Sequence, residues 1–234
     1  MNSLYLIPST LGDTDPSQVI PAGTLSRLAQ IRIFVVEELR TARRFLSAAG
    51  LKGHIDELEF HILNEHTSPG EVESLAPLFG KGDVGLITEA GLPAVADPGA
   101  ALVALCHSRG IRVVPLTGPS SLMLALMASG LDGQSFAFRG YLPAKTEERR
   151  AAIRRVERDS AQFRQTQIFI ETPYRNDALL ADLLSGLSGE TALCVAADIT
   201  LPTETIITRK VVEWKRTDNF KIGKRPCVFL ILAR

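Results

Sequence analysis

The residues best suited to chemistry in this chain cluster in TEAGLPAVADPG, Thr88–Gly99. The segment follows an apolar run and precedes a helical stretch, so it reads as a loop between a strand and a helix. Two glycines allow the main chain to approach a ligand closely, and two prolines stiffen the turn. Loops on that side of an α/β sheet are where ligands bind. Neither the GxGxxG dinucleotide pattern nor a P-loop is present, so those phosphate-binding mechanisms have no residues to use. The loop instead carries two carboxylates, Glu89 and Asp97, which suit a cationic or zwitterionic ligand better than a phosphate. His61 and His66 match no common zinc spacing, so no metal site is expected.

The elements that must position this loop alternate. LYLIP (Leu4–Pro8), IRIFVVE (Ile31–Glu37), DVGLIT (Asp83–Thr88) and IRVVPL (Ile111–Leu116) read as buried strands. Helices are expected over Thr41–Gly50, Glu71–Gly80 and Pro98–Gly110, the last opened by proline and closed by glycine. Such alternation implies a mostly parallel sheet with right-handed crossovers and a ligand crevice at the carboxyl ends of its strands. Beyond Leu116, Pro119–Ser129 is apolar nearly all round and reads as a buried helix bridging two packed halves. FAFRGYLP then gives a strand and turn, and Thr146–Asp159 a charged helix. QIFIETP and TALCVAADI are strands flanking a helix over Tyr174–Leu184, and ETIITRK and CVFLILA finish a second sheet. The polar stretch around Asp218–Lys224 separates those last two strands, and its KIGKRP part reads as a mobile basic loop. The expected fold is two α/β domains, 1–116 and 117–234, with a mostly parallel first sheet, a mixed second sheet and the ligand in the cleft between them.

Composition constrains the partners. Lys+Arg and Asp+Glu both number 26, so no global positive field draws the chain to nucleic acid, and any RNA contact must come from a local patch. Arg150, Arg154 and Arg158 recur every four residues on one helix face, with Lys145, Arg149 and Arg155 nearby, and form the best such patch. Glu147, Glu148 and Glu157 make a solvated helix face the competing reading. The opening MNSLYLIPST has too short an apolar run for a signal peptide, and no stretch reaches the roughly 20 apolar residues of a membrane span. Three well-separated cysteines without a CxxC fit reduced, buried thiols and a cytoplasmic location.

TEAGLPAVADPG followed by VVPLTGPSSLMLALMASGL resembles the paired signature of the tetrapyrrole methylase superfamily. It is most similar to the branch that methylates a ribose 2′-hydroxyl of a cytidine in small-subunit ribosomal RNA, which reads SDAGTPGISDPG and then VPxPGPSAxxxALxxSGL. The likeness continues in order through LYLIPSTLGD, VEELRTARRFL, LNEH, FAFRGYLP and IFIETPYR, from Leu4 to about Glu204. The chain ends directly after its last apolar strand, as a short form without the branch's C-terminal extension.

The resemblance implies S-adenosylmethionine, whose sulfonium and ammonium groups suit the acidic loop. It implies that Pro8, Glu89, Ala90, Gly91, Val95 and Ala96 line the cofactor pocket. Ser120 and Ser121 would reach the cofactor from the next helix, and Glu171, Thr172 and Pro226 would close its adenine side. Glu38, Arg40, Asn64, Glu65 and Arg175 are the polar residues expected near the acceptor, where a carboxylate orients a hydroxyl and an arginine holds a phosphate. A solvated Glu38–Arg40 pair at a strand end competes with that assignment, and His66 reads as a surface histidine.

The departures touch the substrate more than the fold. The second-strand motif keeps an acidic pair as Glu37–Glu38 but has Leu39 where threonine is typical, and ADITLPTE keeps Glu204 while a lysine becomes Leu201. The implied protein is a homodimeric methyltransferase acting on ribosomal RNA in the cytoplasm. Two alternatives stay open: a methyltransferase for a tetrapyrrole or other small molecule, and an S-adenosylmethionine-binding protein without transfer activity.

Overall fold

A computed structural model describes residues 2–217 and 219–233; Asp218, at the start of the polar stretch before the last strand, lies outside them. The chain divides into two compact units, Met1–Ser120 and Ser121–Arg234. The division falls past the boundary expected near residue 116 because the intervening loop is tied to the first unit. Thr24 Oγ1 donates to the Thr117 carbonyl at 2.9 Å. A Cβ on Gly118 would meet Pro8 Cγ at 2.2 Å, so only glycine lets this loop lie against the end of the first strand.

The first unit is a five-stranded parallel sheet in the order β3-β2-β4-β1-β5. Its strands are β1 (Ser3–Ile7), β2 (Ile33–Val36), β3 (Glu59–Ile62), β4 (Val84–Ile87) and β5 (Arg112–Pro115). The central runs IFVV and VGLI are buried on both faces, which is why they read as continuous apolar stretches rather than alternating ones. Strand β3 (EFHI) was not expected: its residues are half-buried or exposed and its sequence is mixed, as befits a sheet edge. Helices α1 (Ala22–Leu28), α2 (Leu39–Leu46), α3 (Pro69–Glu73) and α4 (Gly99–Ser108) connect the strands. The helix expected over Glu71–Gly80 splits into α3 and a 3-10 turn, Ala76–Gly80, where Pro77 cannot continue the α-helical hydrogen bonds.

The second unit pairs β6 (Phe136–Tyr141), β7 (Thr166–Glu171), β10 (Cys227–Leu232), β8 (Ala192–Ala197) and β9 (Thr205–Lys210) in that order. β6 and β7 are parallel and the remaining pairs antiparallel, giving the mixed sheet expected. Helix α5 (Ser121–Ser129) is not buried all round. Leu122, Ala125 and Leu126 are buried, whereas Met127 is 76% and Met123 43% exposed. A helix resting on one sheet needs only one apolar stripe, so composition alone overstated its burial.

Helix α6 (Thr146–Phe163) runs longer than expected, and α7 (Asn176–Gly186) and α8 (Val211–Trp214) complete the unit. Trp214 is buried and donates from Nε1 to the Leu193 carbonyl at 2.8 Å. The KIGKRP loop is anchored, not loose: Asp177 Oδ1 accepts from Ile222 N at 2.8 Å, and Arg225 Nε donates back to the Ile222 carbonyl at 2.8 Å. All three cysteines are free and buried, and burial pushes the thiols of Cys106 and Cys227 up to about 11 and about 12. Among the described residues no helix is long and apolar enough to cross a membrane.

Candidate functional site

In a parallel sheet all strands end on the same edge, so segments remote in sequence meet there. Pro8 follows β1, Glu37 and Glu38 follow β2, Asn64 and Glu65 follow β3, and Thr88–Asp97 follows β4. The strand order places β4 between β2 and β1. The Thr88 loop is consequently held from both sides. Glu37 Oε2 accepts from Thr88 Oγ1 at 3.1 Å, while Ser9 N donates to the Gly91 carbonyl at 2.9 Å and Ser9 Oγ to the Thr88 carbonyl at 3.2 Å.

The loop's own fold is bent tightly. Gly91 has φ 78°, and Ala94 and Ala96 take the left-handed region at φ 64° and 60°, where an alanine costs about 1 kcal/mol or more. Asp97 holds this conformation: its carboxylate accepts from Ala94 N at 2.9 Å and from Gly99 N, the first residue of α4, at 2.7 Å. Asp97 is thus occupied in shaping the loop, whereas Glu89 is exposed. Burial, and then the neighbouring charges of Glu37 and Glu38, raise the pKa of Glu89 above the ordinary carboxylate value. An arrangement that disfavours a third negative charge favours a cation beside it.

The acceptor-side residues separate into distinct roles. Glu38 caps α2, its two oxygens accepting from Arg40 N at 3.0 Å and Thr41 N at 2.6 Å, and those bonds lower its pKa. Asn64 Oδ1 accepts from His66 N at 2.9 Å and closes a turn. Arg40 and Glu65 are exposed, and Glu65 lies 3.6 Å from the equally exposed His66.

In the second unit Glu171 and Thr172 end β7, and register places Glu171 opposite Cys227, next to Pro226. The three residues assigned to the adenine side therefore come together. Glu171 Oε1 accepts from Arg175 Nη2 at 2.6 Å, Nε at 2.9 Å and Thr172 N at 2.7 Å, so Arg175 serves to hold Glu171. The other oxygen, Glu171 Oε2, is buried without a partner, as is Asn176 Oδ1. Two orphaned buried acceptors call for donors from a bound molecule or water. Asn176 and Arg225, whose carbonyl accepts from Asn176 Nδ2 at 2.7 Å, were not foreseen as part of this neighbourhood. The raised pKa of Glu89 suits a cationic group, and, taken separately, the orphaned acceptors of the second unit suit an amine or hydroxyl donor.

The basic helix face is less free than its spacing suggested. Arg149 is buried against Asp182 at 2.5 Å, and Arg150 reaches the same carboxylate at 3.4 Å. Lys145 lies 3.3 Å from Glu148. Arg154, Arg155 and Arg158 are exposed. Among the described residues no group of three His, Cys, Asp or Glu side chains is placed to hold a metal ion.

The profile of the tetrapyrrole (corrin/porphyrin) methylases matches residues 21–213. A ribosomal RNA small subunit methyltransferase I from Vibrio cholerae is 32% identical over 226 residues, covering 94% of this chain and 74% of that protein. The crystal structure of the methyltransferase CobJ superposes with a TM-score of 0.64 at 15% identity, covering 100% of this chain and 95% of its own. A uroporphyrin-III C-methyl transferase from Thermus thermophilus, complexed with S-adenyl homocysteine, does so with a TM-score of 0.57 at 15% identity, covering 99% and 97%. The chain belongs to the tetrapyrrole methylase family and is an S-adenosylmethionine-dependent methyltransferase.

Proposed function

We propose that the chain transfers a methyl group to a ribose 2′-hydroxyl of small-subunit ribosomal RNA, working as a homodimer in the cytoplasm. The observation that carries this reading is the likeness to the Vibrio cholerae enzyme across 94% of the chain. When bound, S-adenosylmethionine supplies an electrophilic methyl group on a cationic sulfur. Methyl transfer by in-line displacement depends on positioning and dehydration more than on a strong catalytic group.

In this reading the cofactor-binding residues are Pro8, Glu89, Ala90, Gly91, Val95, Ala96, Ser120, Ser121, Glu171, Thr172 and Pro226. Glu89 offers the negative charge, and Glu171 Oε2 the vacant acceptor for an amine or hydroxyl. Glu38, Asn64 and Arg175 act by shaping the turns and pairs around the acceptor, and Arg40 and Glu65 are the polar groups that reach it. Exposed Arg154, Arg155 and Arg158 supply the RNA-facing charge, and Met123 and Met127 apolar surface for a second copy.

Incubating the purified protein with methyl-labelled cofactor and undermethylated small ribosomal subunits tests this. Label in a 2′-O-methylnucleoside is the expected result. Cofactor binding by calorimetry with no label in RNA would discard the RNA acceptor.

A further inference from the structure

Within the first unit a groove of about 150 Å³ opens between the loop after β1 and helix α2. Thr41, Arg44, Phe45 and Ala48 recur at helical spacing and form one wall, and Thr88 and Glu89 also line the groove. That volume is below the ~300 Å³ of the usual small-molecule pocket, so the groove takes one part of a larger molecule whose remainder leaves by the open side. A polymer strand has that shape.

The charges in the groove are unequally committed. Arg43, one residue before Arg44, points elsewhere and binds Asp56 at 2.5 Å. Among the described residues no carboxylate lies within ion-pair distance of Arg44, although Asp13 and Glu89 also line the groove. The walls thus present one uncommitted guanidinium, several hydroxyls and two carboxylates, Asp13 and the Glu89 that already borders the Thr88 loop. A guanidinium fork matches a phosphate, and a carboxylate accepts from a base-edge amine or a sugar hydroxyl.

We infer that this groove is the acceptor subsite: it takes one nucleotide of a single-stranded RNA segment, with Arg44 on the adjoining phosphate and Glu89 in its lining. The assignment rests on the RNA reading above and names the contact that selects a phosphodiester-linked acceptor. Unpaired, splayed nucleotides are the form in which RNA bases enter such a groove.

Steady-state methylation of undermethylated small ribosomal subunits by the full chain, compared among wild type, Arg44→Ala, Arg44→Lys and Arg43→Ala, tests it. Arg44→Ala should raise KM for the subunits by ~10-fold or more with little change in kcat. Its salt dependence should weaken by about one ion released, and Arg44→Lys should recover part of the affinity. Arg43→Ala should stay near wild type, and calorimetry should show unchanged S-adenosylmethionine binding in every variant. Equal KM for Arg44→Ala and Arg43→Ala, with wild type active, would remove the inference and leave the RNA reading intact. Loss of cofactor binding in Arg44→Ala would reassign the groove to the cofactor. A wild type that binds the cofactor but methylates no RNA would remove both.

Discussion

Two turns in this molecule are bent by the same means and end in different states. After β4, Ala94 and Ala96 have positive φ; after β8, Asp198 and Thr200 do, at 53° and 72°. In each a carboxylate folds back onto the main chain: Asp97 onto Ala94 N and Gly99 N, and Glu204 onto Thr200 N at 2.8 Å. The second turn meets its charges within itself, although the neutral Thr200 Oγ1 is buried there without a partner. Asp198 is buried, accepts from Thr203 Oγ1 at 2.8 Å, and has Arg225 Nη1 3.9 Å away. The first turn leaves Glu89 over, pressed toward other carboxylates and with no cation at hand in the hydrogen-bond and ion-pair network of the described residues. Strain in a loop is therefore no sign of a site by itself. What separates the two is an electrostatic demand unmet by the protein.

The comparison can be broken at several points. Gly91→Arg should abolish S-adenosylmethionine binding, because φ 78° disfavours any side chain and a Cβ there would already stand 3.1 Å from Leu11 Cδ2. Calorimetry reads this directly, and normal binding would misplace the pocket. Asp97→Ala should cost about 3 kcal/mol, since it strands two main-chain donors, and should also weaken cofactor binding. Glu204→Ala strands one exposed donor and should cost about 1 kcal/mol with cofactor affinity unchanged. Urea midpoints and calorimetry of the pair separate a ligand loop from a closed one. Ala96→Gly should stabilise by up to about 1 kcal/mol by relieving the left-handed alanine, seen as a rise in thermal midpoint.

The smallest effect concerns pH. Glu89 has a folded pKa raised above 4.5, so its contribution to stability is complete below that value and fades as pH rises through the folded pKa. Glu38 runs the other way: its lowered pKa stabilises above 4.5, and that is lost as pH falls through the folded value. A cation beside Glu89 favours its ionised form, so cofactor affinity should rise with pH across the Glu89 titration. Glu89→Gln should weaken binding and flatten that rise. An undiminished pH dependence in Glu89→Gln would assign the titration to another group.

Much of this was written in local sequence. Apolar runs such as IFVV and VGLI announced the parallel core because both faces are buried, and the spacing of the ordered motifs announced the family. The Thr88 loop was legible because its glycines and prolines encode main-chain geometry locally. Partner choice was not legible, since it depends on which strand ends lie side by side. Only the strand order put Glu37 against Thr88, and only the packing of α6 on α7 aimed Arg149 at Asp182 in the interior. Composition gave Arg43 and Arg44 the same standing; about 100° of helix rotation gave one an acid and the other a groove. Sequence fixes which groups a chain carries and where its main chain bends. Which charges are neutralised and which remain for a ligand is a property of distance in three dimensions, because Coulomb and hydrogen-bond energies fall off over a few ångströms whatever the separation along the chain.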